Sequence, residues 1–560
     1  MRKTLLLSFL SLTVLAAAQK APQPASGPAP APRPSSAAFA AMETISPQRI
    51  RAHVRFLSHD LLEGRGTGQR GGDLAAEYIA TQFALYGLAP AGDNGTYMQK
   101  VPMVGITPSP ETTFALVPAR GAVMSLKVSD DYVVYDQTQQ PQSDIDAPIV
   151  FVGYGIHAPE YNWDDYKDLD VKGKVLLMLV NEPPSQDPKF FKGKALTYYG
   201  RWTYKYEEAA RRGAAGVMLI HQTEMASYPW EVVRNSNSGE KSYLKLDETP
   251  KLRAAAWIQF AVAQRLASAS GLNLEKLLSD AQSPEFKPVV LSARLKARIA
   301  SKIRPIVSSN VIGLLPGSNG KLKNEAVLYT AHYDHLGIRP DMPGDNIYNG
   351  ANDNATGCGV LLEIARAFSQ TAERPRRSIL FASVTAEEQG LLGSEYLGKH
   401  SPFPAGRIAL DLNFDDLPPL GSPEEVEVSG AERTTFYRTV EATAKDFRLS
   451  IRADAHPEAG YFYRSDHFSL ARVGIPGFSV NEGVKYKGHD EAWGLQQDQE
   501  YNEKHYHQPS DEYHPEMDFT GDAAMARFGF VLGWQAASLP KVVGWEKGDE
   551  FEAPRLKSAE

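Results

Sequence analysis

Two histidine-bearing motifs, a run of acidic residues and one isolated aspartate form a set of side chains able to hold metal ions. His332 and Asp334 lie in Thr-Ala-His-Tyr-Asp-His-Leu-Gly, and Asp353 lies in Gly-Ala-Asn-Asp-Asn-Ala-Thr-Gly. Glu387 and Glu388 follow in Thr-Ala-Glu-Glu-Gln-Gly, then Asp411, Asp415 and Asp416 in Leu-Asp-Leu-Asn-Phe-Asp-Asp. His505 and His507 come last, in His-Tyr-His-Gln-Pro-Ser-Asp-Glu. Imidazole and carboxylate donors without thiolate suit catalytic zinc, or manganese or cobalt. Structural zinc asks for several cysteines, and this chain has one, Cys358. Each motif alone has an ordinary explanation. Asp353 could cap a helix, and paired glutamates complement a helix dipole. It is their common placement that argues for chemistry.

That placement comes from the elements around them. Val327–Ala331, Ser378–Thr385, Ile408–Phe414 and Gly477–Val480 read as buried strands, and Val360–Phe368 as an amphipathic helix. Strands alternating with helices predict an α/β sheet covered on both faces. The polar motifs follow the strands, and ligands in such sheets gather at the carboxyl edge. Upstream, Ile50, Val54 and Leu57, then Ala76, Ile79, Phe83 and Tyr86, have helical spacing on either side of Gly64-Arg65-Gly66-Thr67-Gly68. A different texture runs from about Tyr132 to Leu291, with strands at Ala147–Tyr154, Lys174–Val180 and Val217–His221, a helix at Glu207–Arg212, and no catalytic cluster. It reads as an inserted domain.

The 560 residues suit two or three domains, and 42% apolar with 22% charged residues is the composition of a soluble globular protein. The net charge of -8 has no basic stripe, which argues against a nucleic-acid partner. Arg2 and Lys3 ahead of the apolar run Leu5–Leu15 and Ala16-Ala17-Ala18 form the pattern of a signal peptide. A secreted or periplasmic location follows as the expectation, with no stable membrane insertion after signal removal. A single cysteine forms no internal disulfide, so stability must come from core size, and Cys358 is expected to be a small buried hydrophobe. The expected organisation is a signal peptide at 1–18, a Pro/Ala-rich linker at 19–42 and a first catalytic part at 43–130. The insertion follows at 131–295, the second catalytic part at 296–540 and, at 541–560, a polar C-terminal tail expected to wrap the surface or fray.

These motifs, with Leu62-Glu63-Gly64-Arg65 and Arg464-Ser465-Asp466-His467 ahead of Gly474-Ile475-Pro476, resemble the co-catalytic zinc peptidases. That family includes secreted bacterial leucyl aminopeptidases, carboxypeptidase Q and glutamate carboxypeptidase II. The resemblance covers Ile45 to about Leu539. The middle segment, through Val152-Gly153-Tyr154-Gly155 and Gly-Ala-Ala-Gly-Val-Met-Leu-Ile, is similar to a protease-associated domain. The resemblance implies a mixed, mostly parallel sheet flanked by helices, with that β-rich domain inserted. It implies two zinc ions per chain, one held by His332, Asp353 and Asp415 and the second by Glu388 and His507, with Asp353 bridging. Glu387 would be the general base, and Asp334 would orient His332 through its second ring nitrogen. The family often has Asp-Asp where this chain has Asn352-Asp353, a change that spares the bridging position.

The implied activity is that of an aminopeptidase acting on peptides with free N-termini. A carboxypeptidase or dipeptidase on the same site is the alternative, with Arg464 as a candidate contact for a substrate carboxylate. A receptor-like binding protein is disfavoured because all five ligands and the base are intact, and a glutaminyl cyclase because those relatives generally lack the insertion. Tyr461, Phe462 and Tyr463 could line a side-chain pocket, although such a cluster is more often core.

Overall fold

The computed structural model describes residues 31–559 apart from 168, 227, 238, 246–248 and 341. The signal peptide expected at 1–18 and the first part of the linker, 19–30, lie outside the described residues. Four parallel strands carry the acidic and histidine motifs: Gly477–Ser479, Ile408–Asn413, Ala326–His332 and Ser378–Val384, in that spatial order. All but the short Gly477–Ser479 are buried at every residue, as two-sided burial demands. One face packs on the helices Pro47–Leu57, Arg70–Leu85, Gly357–Gln370 and Thr520–Ser538. The other face packs around Leu397 of the helix Leu392–His400 and Leu470 of Asp466–Ala471.

The long strand Val289–Leu315 ties this sheet to a second one. Its C-terminal half runs antiparallel to Ser378–Val384 and Met98–Pro108, and its N-terminal half pairs with Gln142–Phe151 and Thr113–Pro118. The second sheet continues in parallel through Val175–Leu179, Gly216–His221 and Ala254–Gln259. It has its own cores on its two faces. The boundary expected between 295 and 296 therefore falls inside a single strand. The one expected between 130 and 131 falls after Thr113–Pro118, which already belongs to the second sheet. A strand that serves both sheets carries no Gly, Pro or loop signal where it passes from one to the other.

Two expectations at the chain ends are corrected. The linker expected through 42 gives way to a helix at Ser36–Met42, where the Ser35 hydroxyl accepts from the Ala38 N–H and Ala38, Ala41 and Met42 are buried. Prolines stop at Pro34, and an alanine-rich run is a good helix former once it can bury its small side chains. The tail at 541–560, expected to be a polar surface wrap or to fray, buries Val543, Trp545, Phe551 and Arg555. The Arg555 guanidinium donates to the carbonyls of Ala405, Ile408 and Val543, so the tail is tied to the start of the strand Ile408–Asn413.

The helix expected at Glu207–Arg212 starts earlier and spans Trp202–Arg211. Among the described residues no helix is long and apolar enough to cross a membrane. Deleting 541–560 should lower stability by about 3 kcal/mol or more, because two buried aromatic side chains are lost with it. Denaturant unfolding of the shortened and full chains checks this, and equal midpoints would contradict the docking.

Candidate metal centre

At the carboxyl edge the strand ends and their loops bring the predicted residues together. His332 is the last residue of its strand. Its Nε2 lies 3.0 Å from Asp415 Oδ1 and 3.3 Å from Asp353 Oδ1. Across Asp353, His507 Nε2 lies 3.1 Å from Asp353 Oδ2 and 3.1 Å from Glu388 Oε2. The two oxygens of Asp353 therefore face different histidines, as a bridging carboxylate must. Donors at about 2.0–2.1 Å from a tetrahedral zinc stand about 3.3 Å from one another. The observed spacings and the nitrogen and oxygen donors fit that geometry on both sides of Asp353.

The alternatives in the sequence are separated by where neighbours point them. Asp411 accepts from the Thr330 hydroxyl at 3.0 Å within the sheet, and Asp416 faces the Tyr501 hydroxyl at 3.4 Å. Only Asp415 reaches the histidine, with its second oxygen taken by the Ser465 hydroxyl. His505 is turned onto Ser510 Oγ at 2.9 Å, leaving His507 to face the cluster. His507, Ala386 and Asp416 all have left-handed backbone with φ of 56°. Such strain on non-glycine residues persists where surrounding packing imposes it, and functional sites are where it concentrates.

Electrostatics bind the cluster as tightly as geometry. Burial alone would depress His332, but Asp415, Glu387 and Asp353 drive it well above the ordinary imidazole value. Burial would raise Asp353, yet the three histidines His335, His332 and His507 hold it well below the ordinary carboxylate range. Glu388 is likewise held down to about 2, against its burial, chiefly by His507. Glu387 goes the other way, pushed well above by burial and by Asp415 and Glu388. Two neighbouring glutamates with opposite shifts are suited to different tasks, one as a ligand and one as a proton carrier.

The role expected of Asp334 is corrected in its atoms. His332 Nδ1 lies 3.1 Å from the backbone carbonyl of Asp334 and 3.8 Å from its carboxylate. The carbonyl thus accepts the hydrogen bond of the ring N–H. The carboxylate instead accepts from the Thr67 hydroxyl at 2.8 Å and the Glu387 N–H at 3.1 Å, which fixes the loop bearing Glu387. Burial lifts the Asp334 carboxyl to about 6. Cys358 is buried, as expected, and its thiol donates to the His332 carbonyl at 3.1 Å.

Three residues outside the predicted set complete the frame. The Asp511 carboxylate accepts from the N–H groups of Asn352 and Asp353 at 2.9 and 3.0 Å, and its own carbonyl accepts from Ala351. The buried Arg65 guanidinium donates to the carbonyls of Tyr333, Leu57, Asn349 and Gly350, joining the His332 strand to the Asp353 loop. His335 lies against Glu388 and Asp353. All three stand inside motifs already quoted, but nothing in spacing shows which carbonyl or N–H a side chain will meet. Gly350, with φ of 57°, has its place because a Cβ there would come within 2.7 Å of His335 Cγ and 2.2 Å of the Asp353 carbonyl. Of the aromatic trio, Phe462 and Tyr463 are core, and Tyr461 is exposed beneath the Arg464 guanidinium.

Residues 310–528, which hold the whole cluster, match the model of peptidase family M28. That stretch is thus similar to the M28 peptidases. It is 36% identical over 123 residues to a probable zinc metalloprotease of Pyrenophora teres f. teres, covering 21% of this chain and 23% of the relative. It is 32% identical over 145 residues to leupeptin-inactivating enzyme 1 of Streptomyces exfoliatus, covering 25% and 32% respectively. These alignments span less than a third of either relative. Among solved structures, an aminopeptidase from Aneurinibacillus sp. strain AM-1 aligns over 90% of this chain and 97% of its own, with 19% identity and a TM-score of 0.49.

Asp511→Asn replaces one carboxylate oxygen with an NH2 group that cannot accept an N–H, so one buried donor loses its partner at a cost of about 1–3 kcal/mol. Zinc affinity should fall about 10- to 100-fold. Competition with a chromophoric chelator measures it, and unchanged affinity would refute the anchoring role.

Proposed function

We propose that the protein is a secreted, two-zinc aminopeptidase that removes residues one at a time from free amino ends. The observation that carries this reading is Asp353, whose two oxygens are turned toward two separate donor groups, His332 with Asp415 and His507 with Glu388. Two zinc ions held there would lower the pKa of water toward about 7 and polarise the scissile carbonyl. The chain's own residues do the rest. Glu387, beside ligand Glu388 and anchored through its N–H on Asp334, takes the proton of the attacking water and delivers it to the leaving amine. The carbonyl of Asp334 fixes the ring of His332, and Ser465 fixes the second oxygen of Asp415.

The inserted segment, similar in sequence to a protease-associated domain, borders the site. The Ser242 N–H donates to Gln389, the residue after Glu388, at 3.3 Å. The Leu196 N–H donates to the Pro457 carbonyl, and Arg472 pairs with Glu207 at 2.9 Å. These contacts support a role in limiting the length of chain that enters.

One observation favours a second reading. Arg201 of the insertion and Arg464 of the catalytic part line one cavity at their seam, and burial together with the Arg464 charge pulls Arg201 down to about 10. Two guanidinium groups held together suit a carboxylate, which a carboxypeptidase or dipeptidase must recognise. A peptide set with free and with acetylated amino ends, digested and followed by mass spectrometry, separates the readings. Stepwise loss from free amino ends alone is expected. Loss from carboxyl ends, or cleavage of acetylated peptides, would overturn the aminopeptidase assignment. Glu387→Gln should keep both zinc ions and lose about 10²- to 10⁴-fold in turnover, and full activity would remove Glu387 as the base.

A further inference from the structure

His335 stands in the same Thr-Ala-His-Tyr-Asp-His-Leu-Gly motif as His332, yet the reaction as derived gives it nothing to do. Its side chain is 0% exposed, and its Nδ1 lies 2.6 Å from Glu388 Oε1. It meets the oxygen of Glu388 that turns away from the cluster, because His507 lies on the other one, Oε2. The ring packs edge-on against His507, with centroids 5.7 Å apart. Its Nε2 is buried and meets no partner among the described residues, so a proton there would be a buried donor without an acceptor. The tautomer consistent with this pocket carries its proton on Nδ1 and donates it to Glu388.

The spacing argues against His335 as a ligand of the same ion. Two donors of one tetrahedral zinc stand about 3.3 Å apart. His335 Nδ1 is 2.6 Å from Glu388 Oε1, a hydrogen-bond length, and 3.9 Å from Asp353 Oδ2. The ring is held where it is from several sides. Its backbone N–H donates to the Arg65 carbonyl at 3.3 Å, and Gly350 leaves the space that a Cβ would fill.

We infer that His335 is a positioning residue for the second ion. By donating Nδ1–H to Glu388 Oε1 it leaves Oε2 as the single oxygen that Glu388 offers, beside His507 Nε2 and Asp353 Oδ2. This rests on the two-ion reading of the site. Without the donor, Glu388 is free to rotate, and the second ion loses a preset ligand while the first, on His332 and Asp415, does not.

The test is a zinc titration of the metal-stripped full chain against a competing chelator, read for two separate affinities. In His335→Leu the second affinity should fall about 10- to 100-fold and the first should hold. In His335→Asn the side-chain amide stands where Nδ1 stood and can donate to the same oxygen, so most of the lost affinity should return. An unchanged second affinity in His335→Leu would overturn the proposal. So would an equal loss in both variants, which would mark His335 as a ligand or a packing residue. Thermal unfolding of the stripped proteins reports whether each variant folds. Should the leucine variant fail, the asparagine variant decides alone, with wild-type affinity supporting the proposal and a loss overturning it. A wild-type chain with one tight zinc site would overturn the two-ion reading itself, a result visible before any variant is compared.

Discussion

Negative charge held together out of water is the constraint around which the catalytic half is organised. Asp334, Asp353, Glu387, Glu388, Asp415 and Asp416 converge at one sheet edge, and a carboxylate removed from solvent is costly unless it is paired. The imidazoles His332, His335 and His507 compensate in part by holding Asp353 and Glu388 below the ordinary carboxylate range, while burial and acidic neighbours push Glu387 and Asp416 above it. Divalent cations between the imidazoles and carboxylates would complete that compensation, and the same arrangement leaves one glutamate free to move a proton.

Holding such a cluster requires a frame that does not relax. Arg65 supplies it by donating to four backbone carbonyls instead of pairing with a carboxylate, and so keeps its charge available to the whole cluster. Asp511 does the complementary work on the Asp353 loop by accepting two N–H groups. A donor fork and an acceptor pair thus fix the backbone on either side of the bridging residue. The docked C-terminal tail is tied to the start of the strand Ile408–Asn413 in the same way, through Arg555.

The catalytic half was legible in the sequence because its signals are local. Buried strands are continuous apolar runs, and the polar residues that follow them mark the carboxyl edge, so His332, Asp353, the Glu387–Glu388 pair and the His505–His507 loop stood out from order and motif, while the resemblance chose Glu388 and His507 within their motifs. The choice of Asp415 over Asp411 and Asp416 rested on resemblance, since three aspartates within six positions differ only in which way the backbone turns. His335, Asp511 and Arg65 were hidden for a related reason: their partners are backbone groups or side chains far away in sequence. The seam between the two sheets was misplaced because Val289–Leu315 crosses it as one uninterrupted strand. The ends were misjudged because composition alone cannot show that alanines or two late aromatics have a surface to bury against.

The central claim is that Asp353 joins two metal ions. Anomalous diffraction from zinc-loaded crystals, collected on either side of the zinc edge, tests it most directly. Two peaks about 3.5–4 Å apart, with one Asp353 oxygen on each and His332 and His507 on opposite sides, are the expected result. A single peak, or two peaks that Asp353 does not bridge, would contradict it.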